Sequence, residues 1–163
     1  STISYELTGA TTGNGTSLDG VIFMTGLTTV TWTVSDNTNN SSTCEFIINV
    51  MDIQNPIITS CGGNGIETND SDLNSCTYTN IGSAWNASAS DNCAVSSITY
   101  SLTGATTGNG ESLDGVVFNL GTTSVLWTVS DNSGNISTCS FDVEIIDNQL
   151  PAGSSETSFP KIY

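Results

Sequence analysis

The chain has 163 residues, with a single cation, Lys161, against sixteen acids, no histidine, and a formal charge of −15. That balance excludes nucleic acid and anionic membrane surfaces as partners, because phosphate contacts draw on Lys and Arg. It also removes the usual general base and the commonest zinc ligand, and the acids are scattered over turns and outward strand faces, so the chain reads as a non-enzyme. Five cysteines in a chain of this size point to an oxidising, extracellular compartment. No stretch approaches the roughly 18 apolar residues of a membrane span, so membrane insertion is not expected.

Taken in order, the chain states one unit twice. Leu7-Thr8-Gly9-Ala10-Thr11-Thr12-Gly13-Asn14-Gly15 returns as Leu102 to Gly110, an offset of 95 residues that holds without drift. Leu18-Asp19-Gly20 returns as Leu113-Asp114-Gly115, Trp32 to Asn37 as Trp127 to Asn132, Cys44 as Cys139 and Pro56 as Pro151. A constant offset means tandem copies of one folded unit, and 95 residues suit one small all-β domain. Alternation with period two marks half-buried strands: Val30, Trp32 and Val34, then Phe46, Ile48 and Val50. The second copy repeats this with Val125, Trp127 and Val129, then Phe141, Val143 and Ile145. No segment has convincing helical periodicity.

For the complete copy the pattern predicts strands near 56–60, 64–68, 76–81, 96–102, 113–119, 122–130 and 138–146. Asp131-Asn132-Ser133-Gly134-Asn135 reads as the turn of a hairpin. Seven short strands predict an all-β fold of tandem immunoglobulin-like antiparallel β-sandwich modules. The expected boundaries are 1–55 for the C-terminal half of one module, 56–151 for a complete module, and 152–163 for a polar linker or tail, or the start of another domain. The first strands of the half-module are expected from upstream sequence or from a neighbouring molecule, since 1–52 alone leaves an open sandwich.

The complete module holds Cys61, Cys76, Cys93 and Cys139, which admit three pairings. In an immunoglobulin-type sandwich the loop bearing Cys93 and the strand start bearing Cys139 lie at one end. Cys93–Cys139 is therefore the expected bond, with Cys61–Cys76 as the second. Cys44 is the equivalent of Cys139, so its partner is expected 95 residues before Cys93, at position −2, just upstream of Ser1. The alternative is a reactive or intermolecular thiol.

The run Pro56-Ile57-Ile58-Thr59-Ser60-Cys61, then Cys76, then Ser90-Asp91-Asn92-Cys93, then Gly121 through Phe141 resembles the hyalin repeat (HYR) domain. The likeness covers 56–147 well and 3–52 as a second half, with one departure, where Thr38-Asn39 stands in place of Ser-Gly. The resemblance implies an extracellular immunoglobulin-like module in tandem arrays linked to adhesion. Ser/Thr/Asn-rich, Lys-poor arrays of this kind are similar to those of bacterial surface proteins, notably of Bacteroidota. Phe159-Pro160-Lys161-Ile162-Tyr163 resembles the start of sorting domains in such proteins.

Candidate sites are few. Asp91, Asp131 and Asn135 gather oxygens suited to calcium, and Asp147 at the boundary suits an interdomain ion; local Asx turns and a solvated linker account for the same residues, and no cofactor is expected. Trp32 and Trp127 alternate with core valines and belong to the core, whereas Trp85 sits in a polar loop region open to carbohydrate stacking. Asn14, Asn69, Asn86 and Asn135 begin N-glycosylation sequons of a kind that arises by chance in so Asn- and Ser-rich a chain. The expected function is a structural stalk or filament module of a secreted surface protein, partnered by further repeats in a rod. The alternative is an adhesin module binding glycan or protein through loops at one sandwich end. An accessory domain of an exported enzyme is a third reading.

Overall fold

The computed structural model describes residues 1–150, all of whose regular elements are β-strands. The boundary at Pro151, the polar tail and the Phe159–Tyr163 likeness lie outside the described residues. Two compact units are present, Ser1–Ile53 and a second beginning at Gln54.

The first unit is one antiparallel sheet. Its strands are β1 (Thr2–Gly9), β2 (Gly13–Gly15), β3 (Gly26–Ser35) and β4 (Ser41–Val50), in the order β2-β1-β3-β4. Alternation decides which side chains face inward. Tyr5, Leu7 and Val30 are buried, with Trp32 and Ile48 partly buried beside them. Tyr5 meets Trp32 edge-on, ring centroids 5.4 Å apart.

The second unit repeats this sheet and adds a layer. Its strands are β5 (Ile57–Ser60), β6 (Ile66–Asp70), β7 (Thr77–Thr79), β8 (Ser88–Ser90), β9 (Val95–Gly104), β10 (Gly108–Gly110), β11 (Val117–Asn119), β12 (Gly121–Asp131) and β13 (Ile136–Ile146). The large sheet runs β10-β9-β12-β13-β6, where β6 joins β13 in parallel and every other pair is antiparallel. Two short pairs, β5–β8 and β7–β11, complete the fold. Trp127, Phe118 and Leu113 are the largest fully buried side chains between the layers. Tyr100 meets Trp127 edge-on, again with centroids 5.4 Å apart.

The equivalence extends to single hydrogen bonds. Thr28 Oγ1 accepts the Thr11 amide at 3.0 Å, and Thr123 Oγ1 accepts the Thr106 amide at the same distance. Gly9 and Gly104 take φ of 104° and 105°, and a Cβ on either would stand within 2.5 Å of a carbonyl oxygen on the next strand (Leu27 or Thr122). Both positions therefore demand glycine.

One expected strand is cut short, and one turn substitution is tolerated. The element expected at 113–119 is shortened to β11, because Leu113–Val116 is a turn clamped by Asn80. The buried Asn80 Nδ2 donates to the Leu113 carbonyl at 2.8 Å, its amide donates to the Val116 carbonyl at 2.9 Å, and its carbonyl accepts the Gly115 amide at 2.7 Å. The replacement of Ser-Gly by Thr38-Asn39 is absorbed without change of shape. Asn39 adopts φ 66° where its counterpart Gly134 adopts 87°, and Asn is the side chain best suited to that left-handed region after Gly.

Candidate functional site

The disulfide of the second unit is Cys61–Cys139, with Cα atoms 6.0 Å apart, and this corrects the expected Cys93–Cys139 and Cys61–Cys76 bonds. The reason lies in the register. Cys139 is not at the rim of the sheet; it pairs with Trp127, which pairs with Tyr100. The rim lies at Asp131, opposite Val95. Four residues separate Trp127 from Asp131, about 13 Å along the strand, so Cys93 before the rim is out of reach of a bond that needs Cα atoms within about 7 Å. Cys139 instead faces the opposite layer, where β5 ends and delivers Cys61. Gly63 follows, and a Cβ there would come within 2.3 Å of the Phe141 ring. Cys93 sits in a turn where Asp91 Oδ1 accepts its amide at 2.8 Å, and its Sγ accepts from Asn92 Nδ2 at 3.2 Å. Cys44 and Cys76 are exposed thiols.

The expected calcium residues divide. Asp91 and Asp131 place carboxylate oxygens within 4.8 Å of each other, Asp131 being buried. Asp131, however, is occupied by its own turn. Its Oδ1 accepts the amides of Ser133 at 2.8 Å and Asn135 at 2.9 Å, and its Oδ2 accepts Asn135 Nδ2 at 2.7 Å. Burial pushes its carboxyl up, but these turn donors outweigh burial and hold it below the ordinary carboxylate value. Asp147 accepts the Gln149 amide in a local turn at 2.9 Å. Asp36 repeats the Asp131 arrangement. The Asn40 side chain, the Thr38 hydroxyl and the Thr38 and Asn40 amides hold its carboxyl at about 2. Asp36 and Asp131 each close a hairpin, which is a structural task.

Trp85 is not a surface stacking platform. It is buried, 5.6 Å centroid to centroid from Phe118, 5.7 Å from Tyr78 and 6.3 Å from Phe141. Its neighbour Asn86 fixes it by accepting the Leu113 amide at 2.8 Å and donating to Ser112 Oγ at 2.9 Å.

One surface feature was not expected: a groove that recurs in both units at equivalent positions. In the second unit it has about 460 Å³ and is lined by Thr99, Tyr100, Ser101, Asn109, Gly110, Glu111 and Thr128. In the first it has about 540 Å³ and is lined by Ser4, Tyr5, Glu6, Asn14, Gly15, Thr16 and Thr33. Tyrosine packs over the facing glycine in each, since Tyr5 pairs with Gly15 and Tyr100 with Gly110 across the strands. Each groove carries one carboxylate, on opposite walls: Glu6 in one and Glu111 in the other. The chemistry on offer is hydroxyls, one amide and one carboxylate, which suits polar ligands and contains no nucleophile–base pair.

Residues 51–145 match the HYR domain family model. The "Serine-rich adhesin for platelets" of Staphylococcus aureus strain MRSA252 is 30% identical over 141 residues, which take in 82% of this chain and 10% of the adhesin. The protein of the same description from strain MSSA476 is 30% identical over 141 residues, 82% of this chain and 6% of that one. The chain thus spans a tenth or less of the length of these relatives. Among solved structures, the extracellular cadherin domains 1–5 of protocadherin gamma B2 align with a TM-score of 0.37 at 14% identity, over 91% of this chain and 34% of that one. The protocadherin gammaB7 EC3–6 cis-dimer aligns at 0.34 and 16%, over 89% and 41%.

Proposed function

Since the chain belongs to the HYR domain family, a cell-surface, adhesion-related class of module, we propose that it is a non-catalytic spacer in an extracellular stalk or filament. In this reading residues 1–55 are the second half of one module and 56–151 a complete one, and its partners are further repeats in a rod. The observation that carries the reading is the recurrence of the same internal bonds at 95-residue spacing, from the Thr11–Thr28 bond to the Asp36 and Asp131 turns. What recurs is scaffolding. Every buried carboxylate and hydroxyl named above serves a turn or a strand contact. The strongly negative surface keeps such rods apart in solution. Among the described residues no helix is long and apolar enough to cross a membrane.

A second reading is a ligand-binding module, and the recurring groove is the observation that favours it. One weak polar site per repeat would gain from avidity on a repetitive polymer. Electron micrographs of the full-length protein should show rods whose length grows in proportion to the number of repeats, and glycan and matrix-protein arrays should give no signal with the 163-residue chain. A signal that Asn14→Ala and Asn109→Ala together abolish would transfer the role to the grooves.

A further inference from the structure

The first unit presents an apolar sheet face whose counterpart in the second unit is covered by that unit's own chain. Phe46 is 45% exposed and its counterpart Phe141 3%; Val34 is 46% exposed and Val129 0%. The registers are the same, with Val30 opposite Phe46 and Trp32 opposite Cys44, as Val125 is opposite Phe141 and Trp127 opposite Cys139. In the second unit the cover is the chain from β5 to β8. Gly63 lies against the Phe141 ring, Trp85 stands edge-on to it, and Cys61 is bonded to Cys139. The same stretch supplies β6, which pairs with β13 in parallel, while the first unit's sheet ends at β4. The open face therefore has the imprint of a known cover: an apolar strand, a cysteine followed by two glycines, a tryptophan, and a strand for the free edge.

We propose that this face docks the front half of a further hyalin-repeat module, a segment of the Pro56–Ser90 pattern running in line ahead of Ser1, and that Cys44 is bonded to that segment's first cysteine. The in-line source follows from connectivity. In the second unit the cover passes through Asp91–Ala94 straight into β9, and β1 is the counterpart of β9. The separation of 78 residues between Cys61 and Cys139 places the partner of Cys44 at position −34 instead of −2. A glycan or an acidic surface would leave the apolar face wet; a strand-rich apolar segment dries it. The bond forms by thiol–disulfide exchange with an oxidised dithiol such as glutathione disulfide. Both S–H bonds break, one S–S bond forms, and two electrons and two protons pass to the oxidant, leaving it as two thiols. The proposal rests on the internal repeat and is independent of whether the array spaces or binds.

The test extends the 163-residue chain at its N-terminus with a copy of its own residues 54–95, so that the added segment runs into Ser1 as Val95 runs into Ser96. After oxidation in a glutathione buffer, peptide mapping of unreduced protein should join Cys44 to the added copy of Cys61. Cys44 should lose its reactivity with maleimide, and binding of the apolar dye ANS should fall below that of the parent chain. A Cys44→Ser version of the extended chain needs no new bond and should still show the fall in dye binding and slowed hydrogen exchange over 41–50. The Cys61–Cys139 bond of the second unit reports that folding has succeeded. Unchanged dye binding and exchange in the Cys44→Ser version overturn the docking. A bond to the added copy of Cys93 overturns the pairing, and protection of Cys44 by dimerisation of the parent chain overturns the in-line source.

Discussion

The two sheets of this chain were given the same instructions and reached different degrees of burial. Strand for strand, β1 to β4 repeat β9, β10, β12 and β13, with the Tyr–Trp contact at 5.4 Å in both. The turns repeat too, down to a left-handed residue at 39 and 134. Tyr5, Leu7 and Val30 are as buried as Tyr100, Leu102 and Val125; burial differs at Val34 and Phe46, and β5 to β8 lie over one sheet alone. Register and turn geometry are therefore local properties of each copy. Dryness is a property of the completed sandwich.

The strongest way to break this comparison is to cut the same ring from both units. Phe141→Ala should cost about 3–5 kcal/mol in the second unit, and Phe46→Ala less than about 1 kcal/mol in the first. Hydrogen exchange of the β12–β13 and β3–β4 amides reads the two units separately; equal losses would mean that the first sheet is not open. Replacing both Cys61 and Cys139 by Ala should cost the second unit roughly 2–4 kcal/mol, measured by denaturant unfolding, with β3–β4 exchange unchanged. The turns should behave alike where the cores do not. Asn39→Val and Gly134→Val put a β-branched side chain at φ 66° and 87°, and each should cost about 1–2 kcal/mol in its own unit.

The smallest effect is a pH dependence common to both hairpins. Asp36 titrates at about 2 in the folded chain against about 3.9 in an unfolded one, and Asp131 is displaced in the same direction. The unfolded state thus takes up protons first as pH falls. The turn contribution is complete above about pH 4 and is lost toward pH 2. Asp36→Asn and Asp131→Asn should flatten that limb of a stability–pH curve; an unchanged limb would assign the acid sensitivity elsewhere.

Much of the fold was legible because it is written in short periods. Alternation around Trp32 and Trp127 and the Asp131–Asn135 turn each depend on neighbours a few residues away. What could not be read depends on the other layer. Trp85 lies in an aperiodic polar run, and nothing near it in sequence says that Phe118 and Phe141 will meet it. Asn80 looks like any of the chain's many asparagines until Leu113–Val116 folds onto it. Cys139 looked like a rim residue because it begins an alternating run. The pairing registers move it inward by more than a turn's length, and only there does Cys61 become its neighbour. The recurring groove was hidden for a simpler reason: only the strand pairing brings Gly15 beneath Tyr5 and Gly110 beneath Tyr100.

The position of the Cys61–Cys139 bond also sets how far a module can be drawn out. A tether pulled from Gln54 to Leu150 would pay out 97 residues, roughly 330 Å of taut chain, were it free of cross-links. With Cys61 and Cys139 bonded at a sequence separation of 78, only the short ends outside the bond can lengthen, roughly 60–70 Å in all. Force applied across the module meets a short, stiff path whose slack is fixed by covalent chemistry, even after every hydrogen bond of the sandwich has let go.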